Sequence, residues 1–154
     1  MTARIDYRKA APDAFKAMLD LEAGVHRTAL EPALIELVKM RVSQINGCGY
    51  CLDMHSKDAR AAGETEQRLY LLSAWREAPF YSARERAALA WAEAVTLVSG
   101  NDVPDALYAQ VREQFDEKGV VELTLAIIAI NGWNRLAIAC RADVGSYRVP
   151  GSAQ

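Results

Sequence analysis

Four side chains between residues 36 and 55 have the types and spacing that proton-coupled thiol chemistry requires. Cys48 and Cys51 form a Cys-x-x-Cys pair, Glu36 precedes the pair, and His55 follows Cys51 by four residues. Two thiols at this spacing can form a disulfide within one helical turn. A thiol reacts as its thiolate, which needs a nearby base or a positive field at neutral pH, and His55 is a candidate base. The four residues therefore predict a redox-active dithiol.

The residues around this dithiol predict the helix that carries it. Asn46-Gly47 is a turn signal, and Gly63 marks the end of a helix that we expect to run from about Cys48 to Ala62. On such a helix the two cysteines and the histidine share one face over two turns. The helix start also places the thiols at the positive end of the helix dipole, which favours the thiolate.

Position along this helix predicts different roles for the two sulfurs. We expect Cys48, at the helix start, to be the more exposed sulfur and to meet an external reductant. We expect Cys51 to lie deeper, beside His55, which would accept the thiol proton, while Glu36 on the preceding helix could orient the imidazole. Spacing alone leaves open whether that preceding helix faces the cysteines. A peroxide would oxidise one thiol to a sulfenic acid, which the second thiol would convert into a disulfide.

Helical periodicity recurs along the chain and strand alternation is nearly absent, so the sequence predicts an all-α fold. We expect one compact domain over residues 1–154, with about six to seven helices and a loose tail over 145–154. The last helix, residues 121–141, is apolar on more than one face, which predicts a central position or burial against another subunit. Helix starts are predicted at Pro12, Pro32, Thr65, Ser82 and Pro104, and helix ends at Gly24, Gly47, Gly63, Gly100 and Gly119.

Composition excludes several classes of protein. A chain of 154 residues that is 51% hydrophobic fits one domain with a core of its own. A net charge of -2 argues against nucleic acid as a partner. The apolar run 123–130 is too short to cross a bilayer, which predicts no membrane association. The N-terminus does not have the pattern of a signal peptide, so we expect a cytoplasmic protein whose three cysteines are not a structural disulfide framework.

Two segments also resemble a known family. The run from Glu36 through Cys48, Cys51 and His55 to Gly63-Glu64 closely resembles the alkylhydroperoxidase D-like branch of the carboxymuconolactone decarboxylase family. Residues 130–136, Ile-Asn-Gly-Trp-Asn-Arg-Leu, resemble the C-terminal helix motif of that family. The resemblance implies an all-helical homo-oligomer, a trimer or hexamer, that reduces a hydroperoxide with thiols and without metal, haem or another cofactor. The reductant that it implies is an external dithiol, on a lipoylated or thioredoxin-like protein.

The same resemblance implies a role for each site residue. Cys51 corresponds to the cysteine that attacks the peroxide, Cys48 to the resolving cysteine, His55 to the histidine and Glu36 to the glutamate of the proton relay. The sequence departs from the founding branch at Tyr50, where that branch has a further histidine. A phenol is a poor base at neutral pH, so this departure bears on the turnover rate and on the identity of the reductant.

Other functions remain open at this point. A redox-responsive binding protein or sensor with little turnover would use the same dithiol. Lactone decarboxylation, the activity of the other branch, is a minor alternative because that branch does not have the cysteine pair. Zinc could take Cys48, Cys51 and His55 as ligands, but a fourth ligand would have to come from Cys140, His26 or Glu36. The cysteines could also be small buried residues without chemistry.

Several other polar residues are expected to serve the fold. Cys140 is predicted to be a packed core thiol, and His26 to lie on the surface or at a helix end. Asn131 and Asn134 interrupt the apolar last helix, which predicts buried amides with hydrogen bonds to their neighbours. The charged segment 84–86 is expected to be a solvated helix face.

Overall fold

The computed structural model describes residues 2–151, and within this range it contains helices and no strand. The predicted all-α fold is confirmed. The helices are α1 (Tyr7–Ala10), α2 (Pro12–Val25), α3 (Pro32–Asn46), α4 (Gly49–Ala61), α5 (Glu66–Tyr70), a short 3-10 helix (Leu72–Ala74), α6 (Ala83–Thr96), α7 (Asp105–Arg112) and α8 (Glu117–Cys140). The sequence did not predict α1, because four residues capped by Asp6 are too few to show a helical period.

Local chemistry explains the boundaries of the helices that matter for the site. Pro12 and Pro32 begin α2 and α3, where a missing N–H costs nothing. Gly47 ends α3 with a φ of 68°, in the left-handed region that glycine adopts without strain. Ser82 and Glu85 form the predicted capping box at the start of α6. These four predictions are confirmed.

The predicted start of α8 was wrong by one turn. The sequence predicts Gly119 as the end of the preceding helix, yet it lies in the first turn of α8, which begins at Glu117. The side chain of Asp116 accepts a hydrogen bond from the Gly119 N–H at 2.7 Å and so caps the new helix. A glycine within a first turn does not interrupt a helix that already has a cap and a long apolar body.

The central pair of the fold is α3 and α8, and α3 also packs against α4 and α6. Val38 and Val42 of α3 and Ile127 and Ile130 of α8 belong to one buried cluster that also contains both cysteines of the pair. This packing fixes the ends of α3 and the start of α4, which carry the predicted site. The central position of α8 is therefore confirmed.

One face of α8 remains open to solvent. Val121, Leu125 and Ile128 are 59%, 39% and 49% exposed, at helical spacings of four and three residues. Among residues 2–151, α8 alone has the length and apolar composition of a membrane span, but 39% of that window is buried inside the fold. Core helices of soluble proteins pass the same test, so this helix is weak evidence for a membrane.

Hydrogen-bonded side-chain amides join the last turn of α3 to α8. Asn134 is fully buried; its Nδ2 donates to Ser43 Oγ at 3.0 Å, and its Oδ1 accepts from Asn46 Nδ2 at 2.8 Å. Asn131 also accepts from Asn46, and it donates to Thr96. The prediction of a satisfied buried amide is confirmed for Asn134, whereas Asn131 is hydrogen-bonded but only half-buried. The network joins the last turn of α3 to α8.

The prediction for residues 84–86 was wrong. The Arg84 guanidinium stacks 3.9 Å from the Phe115 ring and forms an ion pair with Glu31 at 2.9 Å. Glu85 pairs with Arg68, and Arg86 donates to backbone carbonyls of residues 76, 78 and 81. These side chains join α6 to neighbouring segments. The prediction failed because a local charge pattern does not show partners that lie far away in the sequence.

Candidate redox site

Cys48 and Cys51 form a disulfide at the start of α4, with their Cα atoms 5.4 Å apart. Cys48 is the N-cap residue, and its Sγ accepts a hydrogen bond from the Cys51 N–H at 3.3 Å. Both residues are only 1% exposed. The expectation that Cys48 is the more exposed sulfur was therefore wrong, because α8 and the segment after it pack over the helix start. Val144 of that segment lies next to Gly49.

His55 lies one turn after Cys51 on α4 and is 5% exposed. Its Nδ1 lies 2.8 Å from Glu36 Oε2. The face of α3 that carries Glu36 is thus turned towards α4, which spacing alone could not decide. When Nδ1–H donates to the carboxylate, Nε2 is left as the acceptor, so the imidazole can take a proton and Glu36 can stabilise the resulting charge.

A cavity of about 500 Å³ opens onto this group, and we call it the first cavity. Cys51, His55 and Glu36 lie in its wall, whereas Cys48 does not. The rest of the wall is rich in aromatic side chains, namely Tyr7, Phe15, Tyr50, Trp133 and Tyr147. A volume of this size accommodates an organic molecule and not only water or hydrogen peroxide.

The first cavity contains a second polar group that the sequence did not predict. Lys39 is 1% exposed and forms an ion pair with Glu22. Glu22 also accepts from Trp133 Nε1 at 3.0 Å and lies 2.9 Å from His26 Nε2. The spacing of four residues between Glu22 and His26 was a possible signal, but Lys39 and Trp133 come from other helices. A buried lysine is stable here because its charge is paired.

This ion pair predicts a loss of stability in acid. Burial by itself raises the pKa of Glu22, but Lys39, with Trp133 and His26, outweighs burial and holds the pKa below its ordinary value. A carboxyl whose pKa is lowered on folding stabilises the protein above the pKa of the unfolded chain. We expect that stability to be lost as the pH falls from about 5 to about 3.

Chemical denaturation across this pH range measures the effect. The double variant Glu22→Gln/Lys39→Met removes both charges together, so that neither is left buried alone. It should show a weaker dependence of the unfolding free energy on pH than the wild type. An equally steep dependence would contradict a role for this pair.

The segment that follows α8 contacts α4 beside the site. The Tyr147 hydroxyl donates to Asp58 Oδ1 at 2.7 Å, and Lys57 Nζ donates to the Tyr147 carbonyl at 3.1 Å. Burial and the hydrogen bond to Asp58 raise the pKa of Tyr147, so its phenol stays protonated. Of the predicted loose tail, residues 145–151 are described and include this anchor, and residues 152–154 lie outside the described residues.

One group of three potential metal ligands occurs among the described residues. Glu36, His55 and Asp58 each place a ligand atom within 4.8 Å of the others. Glu36 and His55 are hydrogen-bonded to each other, and Asp58 accepts a hydrogen bond from the Tyr147 hydroxyl. The group contains no cysteine, and the two sulfurs of the pair are bonded to each other. It therefore differs from the zinc site of Cys48, Cys51 and His55 considered from the sequence.

The remaining cysteine lies away from the pair. Cys140, the last residue of α8, is a free thiol and is half-buried. The expectation of a fully packed core thiol was wrong, because α8 ends there and leaves its last turn partly open to solvent. His26 is exposed, as predicted, although it also borders the first cavity.

Comparison with known proteins identifies the family of the chain. Residues 12–94, which include all four predicted site residues, match the carboxymuconolactone decarboxylase family. The uncharacterized protein YdfG of Bacillus subtilis (strain 168) is 49% identical over 139 residues, which cover 90% of this chain and 95% of that protein.

Solved structures share the fold. A protein of unknown function from Agrobacterium tumefaciens, with a suggested identity as the antioxidant defence protein AhpD, is 44% identical with a TM-score of 0.91; the match covers 95% of this chain and 100% of that one. An uncharacterized peroxidase-related protein from Silicibacter sp. TM1040 is 28% identical with a TM-score of 0.74, over 87% and 70% of the two chains. The chain therefore belongs to the carboxymuconolactone decarboxylase family, within its alkylhydroperoxidase D-like branch.

Proposed function

We propose that the protein reduces organic hydroperoxides with the thiols of Cys48 and Cys51, assisted by His55 and Glu36. The observation that carries this proposal is the arrangement around the first cavity. The disulfide-forming Cys51 and the hydrogen-bonded pair of His55 and Glu36 line one wall of a space large enough for an organic substrate. The similarity to a protein with a suggested antioxidant role supports the same activity.

The reaction would run through three balanced steps. The Cys51 thiolate attacks the terminal peroxide oxygen; an S–O bond forms, the O–O bond breaks, and the leaving alkoxide takes a proton from the imidazolium of His55. The thiol of Cys48 then loses its proton and attacks the sulfenic sulfur of Cys51; the S–S bond forms, the S–O bond breaks, and the leaving hydroxide takes up that proton to become water. An external dithiol finally reduces the disulfide and is itself oxidised to a disulfide.

The lining of the first cavity favours an organic over an inorganic peroxide. Five aromatic side chains and the apolar residues Leu19, Met54 and Ala137 border the space. An aromatic or branched alkyl group would bury apolar surface there, which hydrogen peroxide does not have. We therefore expect cumene hydroperoxide to react with a higher kcat/KM than hydrogen peroxide.

Steady-state consumption of cumene hydroperoxide, with dithiothreitol or dihydrolipoamide as reductant, tests the proposal. Sustained turnover together with a preference for cumene hydroperoxide would support it. Oxidation that stops after one equivalent with every dithiol would contradict it, and would favour the alternative of a redox-responsive binding protein. Lactone decarboxylation is not favoured by any feature of the described site, so we do not extend the proposal to it.

Assembly and location belong to the same proposal. The exposed row of Val121, Leu125 and Ile128 on α8 gives a copy of the chain an apolar surface to cover. We propose a trimer or hexamer in the cytoplasm, where reduced dithiols are available. A monomeric mass by light scattering would contradict the assembly.

A further inference from the structure

The two cysteines of the disulfide line different cavities. Cys51 lines the first cavity, whereas Cys48 lines a second cavity of about 390 Å³. Tyr50 and Ala137 border both spaces. The wall of the second cavity comes from the start of α4, the end of α8 and the segments before α1 and after α8; it includes Arg4, Cys48, Ile138 and Arg141.

The two cavities differ in the charges of their walls. The first cavity has the carboxylates of Glu22, Glu36 and Asp58 beside the cations Arg8 and Lys39, whereas the second has no acidic residue in its wall. Its two charged groups are the guanidinium groups of Arg4 and Arg141. Arg4 donates to the Ala139 carbonyl at 3.3 Å, and neither arginine forms an ion pair with any residue in the range 2–151. An anionic molecule would therefore be attracted towards Cys48.

We propose that the second cavity admits the reductant, and that this reductant is a small dithiol that carries a carboxylate. The inference rests on the proposed function only in so far as the disulfide must be reduced again. Cys48 is 1% exposed, so its sulfur lies below the surface, and a slender molecule that enters the second cavity would approach it more readily than the flat surface of a folded protein. The carboxylate would pair with Arg4 or Arg141 while the thiol approaches the sulfur.

The chemistry of this step balances without any further reactant. The reductant thiolate attacks Cys48 Sγ, a mixed disulfide forms there, and the bond to Cys51 breaks. Cys51 leaves as a thiolate into the first cavity, where His55 can protonate it. A second thiol of the reductant then attacks the mixed disulfide and releases the Cys48 thiolate. Two electrons pass to the protein, and the reductant becomes a disulfide.

A pair of matched dithiols tests the role of charge. Dihydrolipoate and dihydrolipoamide have the same dithiol, and only the first has a free carboxylate. The protein is first oxidised with diamide and freed of oxidant, and the rate at which its disulfide is reduced is then followed by stopped flow. We expect dihydrolipoate to react about tenfold faster than dihydrolipoamide at low ionic strength, and the ratio to decrease in high salt.

Substitutions locate the effect. The double variant Arg4→Gln/Arg141→Asn should reduce the rate ratio to about one, because asparagine can adopt the left-handed φ of 53° at position 141 without the charge. Arg141→Lys should keep most of the preference. Arg27→Gln removes an exposed arginine that borders neither cavity, and it should leave the ratio unchanged.

A third variant separates access from charge. Ile138→Trp enlarges a side chain that lines only the second cavity, so it should slow reduction by both dithiols and leave oxidation of the reduced protein by cumene hydroperoxide unchanged. Equal rates for the two dithiols in the wild type, or a ratio that the double variant keeps, would overturn the inference. Because the disulfide is formed with diamide, failure to turn over hydroperoxides would refute only the proposed function.

Discussion

Replacement of Cys51 by serine is expected to abolish hydroperoxide consumption, with a decrease in kcat/KM of about a thousandfold or more. Cys51 is the sulfur that lines the first cavity together with His55, and a serine hydroxyl is neither acidic nor nucleophilic enough to replace its thiolate. The measurement is steady-state consumption of cumene hydroperoxide with dithiothreitol in excess. Circular dichroism on the same samples shows whether the variant remains folded.

Two matched variants make this result specific. Cys140→Ser removes the free thiol at the end of α8 and should keep full activity. Cys48→Ser should still react once, after which Cys51 has no resolving partner and gains further oxygen atoms that mass spectrometry detects. The reverse pattern, with Cys48 essential for the first oxidation and Cys51 dispensable, would exchange the roles that we assign to the two sulfurs.

Replacement of His55 by alanine is expected to lower the rate of Cys51 oxidation at pH 7 by about a hundredfold to ten-thousandfold. His55 is buried and hydrogen-bonded to Glu36, so it can hold the proton that leaves the thiol. Glu36→Gln keeps a hydrogen-bond acceptor but loses the charge, and we expect a smaller loss of about tenfold. The rate of thiol alkylation as a function of pH measures the effect directly, because the proposed base, His55, determines the pH at which the Cys51 thiolate forms.

The chain has one other histidine, which provides the control. His26 borders the same cavity but bonds to Glu22 and not to Glu36. His26→Gln should therefore leave the pH profile of alkylation unchanged, whereas His55→Ala should move its midpoint to higher pH. Identical profiles for the wild type and His55→Ala would remove the chemical basis of the proposed proton transfer, even if peroxide consumption fell for structural reasons.

Local sequence signals predicted the helix that carries the dithiol because the relevant physics is local. Gly47 permits the left-handed turn that ends α3, and the next residue caps α4 with its sulfur. Cys51 and His55 follow at spacings that any α-helix places on one face. The all-α class, most of the helix starts and the common face of these residues could be predicted for that reason.

Features that depend on tertiary packing could not be predicted in the same way. The equal burial of Cys48 and Cys51 follows from the packing of α8 over the start of α4. The pair of Lys39 and Glu22 connects residues of two helices that have no shared period. The Arg84 contact with Phe115 likewise joins distant segments. The spacing of residues in the sequence indicates which residues are neighbours on the same helix. The partners named here lie on different helices or segments, so spacing could not indicate them.

Separate cavities for oxidant and reductant would affect the steady-state kinetics. Cys51 lines the first cavity and Cys48 lines the second, so oxidant and reductant would not occupy the same space. An enzyme that alternates between two substrates in a shared pocket is commonly inhibited when one of them is in excess. Here an abundant thiol pool would not exclude the hydroperoxide, and the catalyst could operate at its maximal rate in a strongly reducing compartment.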